Sequence, residues 1–313
     1  MIRVLEAVPN FSEGRDLEKI RALVDAVAAH DVDLLDWSAD PDHHRSVLTY
    51  IGDPADVEAA SLAAARFAVD HIDLRTHRGV HPRVGALDVL PFVPLHGLRM
   101  SDAVASAHRV GQAIADLGVP VFFYGHASQP PGRGLAALRR GGFEAIEAVF
   151  PESLRPDLPP HARSAHPTAG ATCVGAREVL LAWNVFVSGI TVADVRAIAS
   201  KIRERDGGFV GLRALGLNLE GRGRLQISMN LEDPDRTSPL GVFAAIEAEV
   251  LARGGKVEGT EVIGMMPDTL VLPATADRLQ ILDPGSARVL SRRVAQYLEA
   301  RTAGRPDISD ITE

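Results

Sequence analysis

Twice along this chain the spacing of apolar residues runs through the same order of elements: strand, helix, strand, strand, helix, strand. In the first half a strand over Arg3 to Val8 precedes an amphipathic helix whose Leu17, Ile20, Leu23, Val24 and Val27 recur at helical spacing. Two β-like runs follow, Val32 to Trp37 and Val47 to Ile51. Asp53 and Pro54 then open a second helix, with Asp56 and Glu58 near its positive end, and Leu87 to Val93 closes the set as a strand. A third helix from Ser101 to Gly118 and a strand Val119 to Tyr124 extend this half. The second half repeats the order: strand Val179 to Val187, a helix with Thr191 and Asp194 at capping-box spacing, strands Phe209 to Leu219 and Leu225 to Leu231, a helix between Ser238 and Gly254, and strand Val257 to Gly264. The expected fold is therefore α+β, with two ferredoxin-like (βαββαβ) subdomains related by internal duplication. Residues 1–168 form the first subdomain with its linker, and 169–313 the second with a tail. Gln129 to Thr168, rich in Pro, Gly and Arg, reads as that linker, with at most one short helix around Phe143 to Val149.

With 313 residues the chain can fill two cores. Acids and bases are interspersed and the formal charge is −8, so no basic stripe marks a nucleic-acid partner. Cys173, the only cysteine, excludes an internal disulfide and a cysteine-based zinc site, which fits a reducing compartment. No apolar run approaches the roughly 20 residues that span a bilayer, and the start MIRVLEAVPNF lacks the order of a signal peptide. These features predict a cytoplasmic protein that does not enter a membrane.

Several segments carry candidate chemistry. His77-Arg78-Gly79-Val80-His81-Pro82-Arg83 packs two imidazoles and two guanidiniums between a helix end and a strand start. Pro82 biases His81 toward an extended backbone, and imidazole suits proton transfer near neutral pH. A solvated connector with surface histidines is equally consistent with these residues. Asp40, Asp42, His43 and His44, with His77 and His81, include the residue types of a metal site, but no pair has H-x-x-x-H geometry supported by a predicted helix, so no metal is assigned. The small residues of His166 to Arg177 allow close backbone approach to a ligand or a tight domain junction, without nucleotide-binding spacing. Asn10 follows the first strand, where polar groups can hold a ligand's negative end or cap a helix. Asn184 interrupts the apolar run LLAWNVFV and requires hydrogen-bond partners, from a ligand or a buried network. Cys173 has no neighbouring base and reads as an inert thiol.

VPNFSEGR, LLDWSADPDHHRSVLTYIG, HRGVHPRVGALDVLPFVP, VPVFFYG, HPTAGATCVGAR and QISMNL, in this order, resemble the glutamate formimidoyltransferase family from about Arg3 to Leu272. The resemblance implies transfer of a formimidoyl group from N-formimidoyl-L-glutamate to N5 of tetrahydrofolate as co-substrate. It places the catalytic histidine on His81 and the folate-binding stretch on roughly His161 to Gly170, including His161, Arg163, His166, Pro167, Thr168, Ala169 and Gly170, with Asn184 added as a contact. Arg45 and Arg83, with Asn10, are the candidates for holding substrate carboxylates through guanidinium fork geometry. Val80, Ser38 and His126 stand where the family usually has Glu, Asp and Glu. Two other readings share these residues: a reduced-folate-binding protein without turnover, and a metal-dependent amidohydrolase using His44, His77 and His81. Exposed sheet edges would also accommodate a homodimer.

Overall fold

The computed structural model describes residues 2–270, 273–283 and 285–303. Its first unit is built from β1 (Val4–Ala7), β2 (Asn10–Phe11), α1 (Leu17–Ala28), β3 (Val32–Asp40), β4 (Arg45–Gly52), α2 (Pro54–His71) and β5 (Leu87–His96). It continues through α3 (Met100–Asp116), β6 (Val121–Gly125), α4 (Leu135–Leu138) and β7 (Thr172–Ala176). The second unit comprises β8 (Leu181–Ser188), α5 (Val192–Ile202), β9 (Leu212–Leu219), β10 (Arg224–Leu231), α6 (Pro239–Ala252) and β11 (Lys256–Ile263), followed by α7 (Pro273–Arg278) and α8 (Leu290–Ala303).

Helix starts follow the expected chemistry. Asp16 accepts from the Lys19 amide at the head of α1, Asp53 from Ala55 at α2, and Thr191 with Asp194 forms a reciprocal box at α5. Strand order is β11-β8-β10-β9 in the second sheet, and β3-β4-β1/β2-β5 in the matching part of the first. In both, the first strand lies between the third and the fourth, so the duplicated β-α-β-β-α-β order is expressed as one topology used twice.

The first sheet departs from the expectation on its far side. Thr172–Ala176 is a strand, β7, which lies parallel to both β5 and β6 and separates them. The division between sheets therefore falls after Ala176, and not at 168/169. The strand is wholly buried and its small residues have a packing cause: a Cβ at Gly175 would lie 2.4 Å from the Tyr124 ring.

Leu5, Ala7, Leu48, Tyr50, Leu90 and Val174 face α1, α2 and α3 in the larger core of the first unit. Alternation sends Glu6, Asn10, Arg45 and Thr49 to the opposite, helix-free face. Two apolar covers lie on that face. One consists of Leu138, Phe143, Ile146 and Phe150, packed on Val89, Phe122, Tyr124 and Cys173, so the segment read as a linker is a folded cap. The other brings Met265, Leu290 and Tyr297 against Val4, Leu35 and Ile51, where Arg301 also pairs with Asp31. The turn between β9 and β10 joins in, with Gly221 donating to Asp42 and Arg222 meeting Asp40. The polar strip between the two covers is the candidate site. Among the described residues, no helix is long and apolar enough to cross a membrane.

Candidate active site

Asp88 anchors the strip. A register irregularity between β2 and β5 at this point lets its carboxylate accept from the Val84 amide (2.8 Å), Arg45 Nη1 (2.8 Å) and Arg139 Nη2 (2.5 Å). Burial opposes its ionisation, yet the two guanidiniums and the amide hold the carboxyl at about 2. Arg45 also donates through Nε and Nη2 to Asn10 Oδ1, at 3.2 and 2.9 Å, and Asn10 is fixed by the Val8 carbonyl. Two cations on one anion leave one positive charge in a largely dehydrated place, an arrangement suited to a substrate carboxylate.

His81 lies beside this cluster. Its Nδ1 is 2.8 Å from the Pro82 carbonyl. A carbonyl can only accept, so Nδ1 carries the hydrogen and neutral His81 presents the Nε2 lone pair. Burial, followed by the charges of Arg45 and Arg139, holds the imidazole well below its ordinary value. At neutral pH His81 is accordingly an unprotonated base.

The turn Asp40 to His44 supports the His81 loop. Gly79 passes so close to it that a Cβ there would lie 2.1 Å from the His43 carbonyl oxygen, which explains the glycine. His44, at φ 51°, stacks on His77 with ring centroids 4.3 Å apart. His44 Nδ1 accepts from the Arg78 amide and its Nε2 faces Glu13 Oε1 at 3.2 Å, while His77 Nε2 donates to the His44 carbonyl at 2.8 Å. Both imidazoles thus brace the loop. Among the described residues, no three His, Cys, Asp or Glu side chains converge as metal ligands.

The segment His166 to Gly170 lies directly behind the same loop. Thr168 O accepts from Leu74 N, Ala169 O from Ala86 N, and Ala171 N donates to Val84 O, which secures the loop at both ends. A Cβ at Gly170, where φ is +72°, would meet the Val84 oxygen at 2.1 Å. His166 Nδ1 accepts from the Ala169 amide at 3.0 Å and closes its own turn. Pro167 is exposed, Thr168 half-buried, and Ala169 buried. His161 and Arg163 lie exposed on the cap, with the Arg163 carbonyl accepting from Phe150 N. Arg83 is engaged by the cap as well, in a two-pronged pair with Glu144 at 2.9 and 2.7 Å.

Asn184 belongs to the second sheet, on the face of β8 turned away from α5 and α6, and donates to Glu261 at 3.1 Å. Gln226 shares that face, is fully buried, and has no partner for either amide atom. Thr49 Oγ1 on the first sheet is also buried without a partner. Such buried, unpartnered groups are ones that a polar ligand would satisfy.

Glu6 points into the same helix-free side, and burial, opposed only by Arg177, raises its carboxyl to about 7. Because the folded state binds this proton more tightly, stability contributed here is full below the ordinary value of 4.5 and falls as pH rises toward 7. Glu6→Gln should therefore be more stable than wild type above pH 7, by roughly 3 kcal/mol, with the difference vanishing at low pH. Urea unfolding at acid and mildly alkaline pH measures it, and a gain of equal size at both would contradict the assignment.

Sequence reasoning named His81, Arg45 and Asn10 separately; the structure bonds Arg45 to Asn10 and sets its charge beside His81. Asp88, Arg139, Glu144 and the bracing role of His44 were missed. Asp88 sits inside the quoted segment HRGVHPRVGALDV, a signal that was available. Arg139 is one of many arginines in the cap and carried none.

Two family models cover the chain. The formiminotransferase domain, N-terminal subdomain, matches residues 4–177, and the formiminotransferase domain matches residues 182–280. The junction between them coincides with the end of β7. A glutamate formimidoyltransferase of Thermoplasma acidophilum is 36% identical over 297 residues, covering 93% of this chain and 97% of the relative. One from Streptococcus pyogenes is 37% identical over 287 residues, covering 90% and 95%. The formimidoyltransferase-cyclodeaminase of Sus scrofa is 39% identical over 290 residues, and there the match takes up 88% of this chain but 52% of the longer protein. With both subdomains matched in order and relatives aligned almost end to end, the chain belongs to the formiminotransferase family of one-carbon transferases.

Proposed function

We propose that this protein transfers a formimidoyl group from N-formimidoyl-L-glutamate to N5 of tetrahydrofolate, with His81 moving the protons. The observation that carries the reading is a neutral imidazole, with Nδ1 tied to the Pro82 carbonyl, set beside the net-positive Arg45–Asp88–Arg139 cluster. Arg45 and Arg139 would draw in a donor carboxylate and align the amidine carbon with His81. His81 Nε2 then takes the proton from the attacking nitrogen as the new N–C bond forms. The imidazolium so produced is a strong acid in this cationic setting, and it returns the proton to the glutamate nitrogen as the old C–N bond breaks. The unpartnered amide of Gln226, with Asn184 on the same sheet and Thr49 on the other, supplies groups able to hold the polar ring of the folate. His166 to Gly170 contributes by fixing the His81 loop, and its exposed members are open to the folate tail.

The reading is tested by mixing protein, tetrahydrofolate and N-formimidoyl-L-glutamate and following 5-formimidoyltetrahydrofolate. Product should require all three components and be insensitive to chelators. Tight folate binding without product would establish a binding protein instead.

A further inference from the structure

His43, in the turn that supports the His81 loop, takes no part in the reaction as described. It is buried, its Nδ1 lies 3.4 Å from Asp40 Oδ2, and Asp40 Oδ1 accepts its backbone amide at 2.8 Å. A carboxylate only accepts, so Nδ1 carries a hydrogen. The Nε2 atom, fixed on the far side of the ring, is fully enclosed and has no oxygen or nitrogen partner. What it has instead is the His81 ring, whose centroid lies 5.9 Å away with the two planes at 85°, an edge-to-face contact.

We propose that His43 is the positioning residue of His81, held by Asp40 so that its ring braces the imidazole that transfers the proton. His81 is then fixed from two directions, by the Pro82 carbonyl at Nδ1 and by the His43 ring across the plane. The brace belongs to both units of the molecule, because Arg222 from the turn between β9 and β10 reaches Asp40 Oδ2 at 3.1 Å, and Gly221 donates to Asp42 at 2.9 Å. Docking of the second unit therefore holds the aspartate that orients His43. The charged and titratable groups around His43 are Asp40 and Asp42 of its own turn, Arg222 from the second unit, and His81 itself. Asp40 is ionised: burial works against it, but the His43 contacts and Arg222 hold the carboxyl at about 2.

This inference rests on His81 being the proton carrier, and the experiment separates the two claims. Formimidoyl transfer is measured across pH for wild type, His81→Gln, His43→Ala and His43→Phe. His43→Ala should lower kcat by about 10²-fold and leave both KM values unchanged. His43→Phe restores an aromatic edge without the Asp40 contact, so it should recover much of kcat; it also serves if the alanine variant does not fold. An active His81→Gln enzyme overturns the underlying reading. An inactive His81→Gln enzyme combined with wild-type kcat in the folded His43 variants, or with a loss that falls on KM, overturns the positioning role alone.

Discussion

Replacing His81 by glutamine is expected to lower kcat by roughly 10²- to 10⁴-fold while leaving folate affinity and the thermal transition close to wild type. The side chain is only half-buried and its single hydrogen bond goes to the neighbouring Pro82 carbonyl, so its removal disturbs little of the fold. What it removes is the one lone pair placed against the Arg45–Asp88–Arg139 cluster. The same geometry fixes the pH dependence. On the proposed mechanism His81 accepts a proton when neutral, and its value lies well below 6.5, so the wild-type rate should hold steady as pH falls through 6.5 and decline only further down. Steady-state rates against pH, with folate binding measured separately by titration, check both statements. A variant that turns over at near-normal rate would move proton transfer to another group.

Asp88→Ala is expected to be the most damaging single change in the first unit. The carboxylate is completely buried and shared by two guanidiniums, and removing one partner of such a cluster costs about 3 to 5 kcal/mol because the charges left behind are uncompensated. The linkage has a definite sign. Its carboxyl is lowered from 3.8 to about 2 in the fold, so its contribution is present above pH 3.8 and is lost as pH falls toward 2. Urea unfolding at neutral pH should show the full loss, shrinking in acid. Activity should also collapse, since Arg45 and Arg139 would no longer be drawn to a common point. A stability loss below about 1 kcal/mol would mean that the two guanidiniums do not depend on this carboxylate.

The duplicated order of strands and helices was readable because each element buries one face against its neighbours and so carries a regular apolar spacing. β7 escaped that reading for a physical reason. Thr172–Ala176 is buried on both faces, so it has no alternation, and the closeness of the Tyr124 ring demands a glycine where a strand would ordinarily carry a branched residue. The same small residues read as a ligand-binding loop or a tight domain junction. The cap was misread as a linker because its Pro and Gly content marks turns, while Phe143, Ile146 and Phe150 are too irregularly spaced to announce that they share one core. In the site, His81 stood out through its local motif. The forks of Arg45 and Arg83 were expected to await substrate, and they meet Asp88 and Glu144 within the protein, at sequence separations of 43 and 61 residues that no local pattern reveals. His43 was visible as a residue type, but its contact with His81 depends on Gly79 letting two loops cross.

The late position of β7 in the chain also bears on how the molecule is made. Among the described residues β7 is the only strand that β6 pairs with, and β5 has its second edge covered by the same strand. A growing chain emerging from the ribosome therefore carries β6, bonded to the cap at Arg133, Asp157 and Leu158, without a strand neighbour until Thr172–Ala176 arrives to join it to β5. During that interval β5 presents an open edge of the kind that recruits other chains. The stretch between β6 and β7 sets how long this window lasts, so lengthening the cap should lower the yield of soluble protein before it alters the finished fold.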